Sequence, residues 1–270
     1  MRTITGAIFV IVIIGSLLLN HWVFAFLFLL IALAGYYEFV RIAKALNSSP
    51  PIIEGFVVSF LVYILIVSWH FGILPDKALF ALFLIPFLII SLEIGRNSST
   101  PLLNIATSLL GIIWVVVPLA LLNGFFNLSE EHKWREVGLL LGFFLILWIY
   151  DSGAYIFGSL FGKHRMLERV SPKKSWEGFA GGAAAGLLIA YIISASFTEF
   201  SILEWLAIGI VIIITGTIGD LAESMLKRNA GIKDSGRILP GHGGILDRFD
   251  AVFLAAPAVY IVVRLLRFIN

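Results

Sequence analysis

The chain contains no cysteine. Disulfides and thiolate metal sites are therefore excluded, and the composition fits a reducing compartment. Charge is scarce as well: Asp, Glu, Lys and Arg make up 13% of 270 residues, and the net charge is +2. So small a balance says little about partners; no nucleic-acid partner is expected. Low-complexity stretches, internal repeats and linker-like boundaries are also missing. The expectation is one membrane domain over 1–270, with 1–135 mainly scaffold and 136–270 carrying the catalytic helices and cytoplasmic loops. What the chain has in excess is apolar sequence, 60% of its residues, against about 45–50% in soluble domains.

Crossing a bilayer takes about 20 apolar residues in a helix. Nine runs between polar breaks qualify, near 4–19, 22–40, 52–69, 77–94, 102–122, 137–158, 178–197, 202–226 and 246–267. They are apolar nearly all round, and backbone polar groups in lipid must pair internally, so helices are the reading. The fold expectation is an all-α polytopic integral membrane protein with about nine transmembrane helices. Eight is the fallback, because only Asn20-His21 parts the first two runs and Glu54 interrupts the third. No small-residue cleavage site follows the first run, so it is read as a retained helix rather than a leader. Pro86, Pro118 and Pro257 fall inside spans, where neighbours tolerate kinks. With an inner N-terminus, fourteen of the 19 Lys and Arg lie on the inner side. Asn47-Ser48-Ser49 and Asn97-Ser98-Ser99 match the glycosylation pattern, but both fall on that inner side.

Two polar blocks break the apolar pattern, and both face the cytoplasm on this topology. The first runs from Asp151 to Glu177. Asp151 precedes the end of its helix and is followed by Ser152, Gly153 and Ala154, small residues that allow close backbone approach. An aspartate at membrane depth is costly and usually functional, though a buried Asp satisfied by hydroxyls is the plainer reading. Ser171-Pro172-Lys173-Lys174-Ser175 stands before the seventh helix, where hydroxyls, lysines and free N–H groups suit an anion; a loop meeting lipid headgroups is nearly as good a reading. Gly178, Gly182 and Gly186 recur every four residues and form a packing face, within the protomer or between two copies.

The second block, Asp220 to Asp250, holds five acids, five bases and a His. Helical spacing puts Asp220, Glu223, Ser224 and Lys227 on one face, with Arg228 beside them, and Asp247 and Asp250 on another. If the intervening loop folds back, the carboxylates meet as hard oxygen ligands suited to Mg²⁺. A plain ion-pair network, Asp220 with Lys227 or Asp247 with Arg248, explains the same residues. Between the helices, Gly241, Gly243 and Gly244 around His242 let backbone N–H groups approach an anion, with Lys233 and Arg237 adding charge. His242 in this setting is a phosphate contact or a loop-shaping donor rather than a general base.

This block resembles the signature of CDP-diacylglycerol synthases (phosphatidate cytidylyltransferases). The likeness rests on Ser224, Lys227-Arg228, Lys233-Asp234, Pro240, His242-Gly243-Gly244 and Asp247-Arg248-Phe249-Asp250. Asp151 to Tyr155, Ser171 to Ser175, Glu177-Gly178 and Arg2 to Gly6 are similar too. The resemblance implies transfer of CMP from CTP to phosphatidic acid, Mg²⁺ dependence, a multi-helix membrane fold and frequent homodimers. The expected metal ligands are Asp220 and Asp247, with Asp250 a further ligand or in the shell behind. A second cation would stabilise both entering and leaving oxygens. Asp220, Lys227, Arg228, Asp247 and Arg248 form the expected catalytic set. Asp151, Ser171, Lys173, Lys174, Ser224, Lys233, Asp234, His242, Gly243 and Gly244 are the expected substrate contacts. The expected setting is the inner membrane, among its lipids, with the site facing the cytoplasm.

Two other classes remain open at this level. A CTP-dependent lipid-alcohol kinase would also be polytopic but would need a general base. An ion-coupled transporter would also carry intramembrane carboxylates, though commonly with repeat-related broken helices.

Overall fold

A computed structural model describes residues 2–128, 137–236 and 243–269, and the protein is an all-α polytopic membrane protein. Among the described residues, eight helical segments are long and apolar enough to cross a bilayer, and a shorter apolar one covers Gly6–Leu19. Each of the nine expected runs coincides with one of these segments. The elements are α1 (Arg2–Leu19), α2 (His21–Lys44), α3 (Ile52–His70), α4 (Ile85–Ile94), α5 (Pro101–Gly111) and α6 (Val117–Leu121). They continue as α7 (Gly138–Phe161), β1 (Arg165–Leu167), β2 (Ser171–Ser175), α8 (Trp176–Ser194), α9 (Ile202–Asn229) and α10 (Leu246–Ile269). The chain divides into two compact units, residues 1–124 with 226–249 and residues 125–225 with 250–270.

In the first unit, Asn20 parts α1 from α2: its side-chain oxygen accepts from Trp22 N at 2.8 Å and caps the new helix. Glu54 is exposed in the first turn of α3, where a carboxylate suits the positive helix end. Phe24 and Phe28 stack at 4.1 Å inside the unit, and Phe9 and Phe28 meet Phe249 edge-on. The fourth and fifth spans are not continuous α-helix. A 3₁₀ stretch (Asp76–Leu84) leads into α4, so Pro86 opens that helix instead of kinking it, because a first-turn proline gives up no intrahelical bond. A π turn (Ile112–Val116) precedes Pro118, and a 3₁₀ stretch (Leu122–Leu128) closes the fifth span. Asn47 and Asn97, at the two Asn-Ser-Ser sequences, take positive φ (62° and 49°), as residues just past a helix end often do. Beside Asn97, buried Glu93 is paired by Arg96 at 2.8 Å and by Asn104 Nδ2 at 2.6 Å.

In the second unit, α7 and α8 cross closely because glycine lines the seam. An added Cβ at Gly182 would lie 2.7 Å from the Tyr150 carbonyl oxygen, and one at Gly178 would lie 2.8 Å from that of Ala154. Gly186 faces Ile213 of α9. The small-residue face is thus used inside the protomer. Trp205 of α9 is fully buried and donates its indole N–H to Phe197 O at 2.9 Å. In the first unit, large apolar side chains such as Leu102 (79% exposed) and Phe83 (72%) face outward. Such surface belongs against acyl chains rather than water.

The hairpin β1–β2 was not expected. It is antiparallel, pairs Arg165 with Ser175 and Leu167 with Ser171, and turns the Ser171–Ser175 segment into a strand that ends at the N-cap of α8.

Candidate active site

In the second unit, α7, α9 and the hairpin enclose a cavity of about 520 Å³. Asp151 and Tyr150 reach it from α7, Thr217 and Asp220 from α9, and Arg165, Lys173 and Lys174 from the hairpin. Asp220 Oδ2 pairs with Lys174 Nζ at 2.5 Å, and Ser224 Oγ, one helical turn on, donates to Asp220 Oδ1 at 3.4 Å. Asp151 and Asp220 repel each other and Lys174 opposes that repulsion, while Asp250 feels the charges of Asp220, Glu223 and Asp151. Tyr150 and Thr217 share a hydroxyl hydrogen bond on the cavity wall. The hairpin is held from below by Glu177, whose carboxylate accepts from the backbone N–H groups of Lys163 and His164 and pairs with the His164 ring. Ser171 opens β2 opposite Leu167. The cavity therefore sets three cations against two carboxylates, as a polyphosphate with a counter-cation requires.

In the first unit, the second polar block folds around Asp247. Its Oδ1 accepts from Lys227 Nζ at 2.7 Å, and its Oδ2 accepts from Ser235 N and Oγ at 2.9 Å and from Gly244 N at 2.7 Å. Gly243 has φ +82°, a conformation that suits glycine, and leads the chain into this contact. Lys233 and Asp234, with Arg41 of α2, line a cavity of about 560 Å³. Arg228 is exposed near the end of α9 and Arg248 is exposed in the first turn of α10. Arg237, Gly241 and His242 lie outside the described residues.

The pairing differs from the ion pairs that local spacing offered. Asp220 takes Lys174, not Lys227, and Lys227 takes Asp247. Sequence reading missed Arg165, Tyr150, Thr217 and Arg41. It also missed Glu38 of α2, the one acid in its apolar run, which is fully buried and accepts from Leu246 N at 3.0 Å. An acid inside a span is itself the signal that would have found it.

Among the described residues, no group of three or more His, Asp or Glu side chains is arranged to hold a metal ion. The carboxylates at the cavity are nevertheless hard oxygen donors. Mg²⁺ commonly takes only one or two such ligands and completes its shell with phosphate oxygens and water, so the residues fit that ion with substrate bound.

The sequence matches the Cytidylyltransferase family over residues 1–266. A phosphatidate cytidylyltransferase of Staphylococcus saprophyticus is 40% identical over 191 residues, 69% of this chain and 70% of that protein. Those of Staphylococcus aureus (strain COL) and Staphylococcus haemolyticus are 33% and 34% identical, each alignment covering 97% of both chains.

Proposed function

The chain belongs to the cytidylyltransferase family, and from that premise we infer that it is a phosphatidate cytidylyltransferase, a CTP-dependent nucleotidyltransferase. It transfers CMP from CTP to phosphatidic acid and yields CDP-diacylglycerol and pyrophosphate. The observation that carries this reading is the cavity in which Arg165, Lys173 and Lys174 oppose Asp151 and Asp220.

In the reaction, an oxygen of the lipid phosphate attacks the α-phosphorus of CTP. A P–O bond forms there, the bond from that phosphorus to the β-phosphate bridging oxygen breaks, and pyrophosphate leaves with the electron pair. The nucleophile is already an anion, so no strong base is needed, and the protein's work is positioning and charge neutralisation. Lys173 and Lys174, with Ser171 at the strand start, hold the lipid phosphate or the triphosphate tail. Lys227, Arg228, Lys233 and Arg248 neutralise the triphosphate and the departing pyrophosphate. Ser224, Asp234, His242 and the backbone of Gly243 and Gly244 shape the contacts. Asp220, Asp247 and Asp250 are the proposed carboxylates for Mg²⁺, which when bound supplies positive charge at the phosphate oxygens. Asp247 already accepts four hydrogen bonds, so a donor must yield before it can serve. Asp220 must likewise release Lys174, freeing that ammonium for a phosphate.

Both polar blocks are proposed to face the cytoplasm, in the inner membrane, from the Lys and Arg bias. A homodimer would use a surface other than the Gly178–Gly186 face, which packs within the protomer. Product analysis tests the reading: purified protein with CTP and phosphatidic acid should release pyrophosphate and a CDP-lipid. CDP with a phospholipid would indicate a kinase instead. Solute flux in liposomes without CTP turnover would indicate a transporter.

A further inference from the structure

Glu38 is fully buried in the last third of the apolar helix α2. A carboxylate there is costly unless its oxygens are used. Its Oε2 accepts from Leu246 N at 3.0 Å and from Ser235 Oγ at 3.1 Å. Those partners lie apart in sequence: Ser235 follows α9 and Leu246 begins α10. The backbone is pressed onto the same carboxylate from both stretches, since a Cβ added at Gly236 or at Gly244 would overlap Glu38. Asp247 ties the same two stretches a second time through Ser235 and Gly244. The Ser235 hydroxyl has one proton to give and lies within reach of both acids. Leu246 N is served by Glu38.

The same helix reaches the first-unit cavity lined by Lys233 and Asp234. Arg41, three residues on and therefore on a neighbouring part of the helix surface, lines that cavity with Lys233. α2 thus holds Ser235 and Leu246 with Glu38 and offers a cation beside Lys233 with Arg41. We propose that Glu38 is a positioning residue for cytidylyl transfer: its buried carboxylate fixes Ser235 and Leu246, and so the placement of the adjoining Lys233 and of the Gly243–Gly244 backbone toward the CTP phosphates. This role rests on the reading of the protein as a CTP-dependent transferase. What matters is reach, not charge, because Leu246 N and Ser235 Oγ are neutral donors to one oxygen.

The test compares Glu38→Gln, which keeps an oxygen at full length, with Glu38→Asp, which keeps the charge but withdraws it by one methylene, and with Glu38→Leu. Each purified variant is assayed for KM and kcat with CTP, KM with phosphatidic acid, thermal midpoint, and amide exchange at Gly244 and Leu246. Gln should leave the KM for CTP within about threefold of wild type. Asp and Leu should raise it by about tenfold or more, speed exchange at Leu246 and leave the KM for phosphatidic acid nearly unchanged. If Leu fails to fold, Asp still decides. The proposal is overturned if Asp matches wild type while Gln does not, or if the variants lose thermal stability with the KM for CTP unchanged. Wild-type protein that makes no CDP-lipid overturns the functional reading itself; the exchange data then report the Glu38 tie separately.

Discussion

Removing Lys227 should cost the protein much less than removing its partner Asp247. The two form an ion pair at 2.7 Å, with side chains only 13% and 12% exposed. Breaking a buried pair typically costs about 3–5 kcal/mol, because the remaining charge is stranded. In Lys227→Met the remaining Asp247 is not stranded, since its Oδ2 still accepts from Ser235 N, Ser235 Oγ and Gly244 N. The expected loss is therefore nearer ~2 kcal/mol. Asp247→Ala removes the common acceptor and leaves the lysine and the N–H groups of Ser235 and Gly244 without it, while the Ser235 hydroxyl keeps Glu38, so ~4–5 kcal/mol is expected. At ~2–4 °C per kcal/mol for a chain of this size, the thermal midpoints should fall by ~4–8 °C and ~8–20 °C respectively. Unfolding in detergent micelles, followed by loss of helical circular dichroism, reads both. Amide exchange at Gly244 should speed up in Asp247→Ala and hold in Lys227→Met. Equal midpoint losses, or a larger loss for Lys227→Met, would refute the hub.

Gly182→Ala should destabilise by ~1–3 kcal/mol, because its Cβ would sit 2.7 Å from the Tyr150 carbonyl oxygen. Gly15→Ala, where nothing lies within 4 Å, should instead be neutral or gain up to ~1 kcal/mol as a helical substitution, and thermal midpoints compare the two signs. Lys174→Met should lower cytidylyl transfer by about a hundredfold through loss of a phosphate-neutralising cation at the reacting centre, read as kcat/KM with circular dichroism unchanged. Asp220→Ala should abolish the response of the rate to added Mg²⁺, and purified variant with near-normal transfer would remove Asp220 from the metal assignment.

The membrane architecture was legible because lipid forces it. Runs without backbone partners must be helical, and Asn20 and the Lys and Arg placements punctuate them. Local deviations were less visible. Pro86 and Pro118 announce an interruption, but the choice of 3₁₀ or π turn depends on packing against other helices. The hairpin escaped because Arg165–Leu167 and Ser171–Ser175 are short and carry no alternation of polar and apolar residues; Glu177 and the seam with α7 stabilise it from outside. Candidate residues emerged from charge in apolar surroundings, which found Asp151, Asp220 and Asp247. Their partners did not follow from helical spacing. Lys174 and Asp220 lie on different elements, and Glu38 meets Leu246 208 positions away. Such contacts arise only once the helices pack.

The central claim is that the α-phosphoryl group of CTP, with its nucleoside, ends on the lipid. The direct measurement supplies purified protein with phosphatidic acid, Mg²⁺ and CTP labelled at either the α- or the γ-phosphorus, then counts the organic phase. Label from the α position should enter the lipid and label from the γ position should leave as pyrophosphate. γ-label in the lipid, or no label from either position, would contradict it.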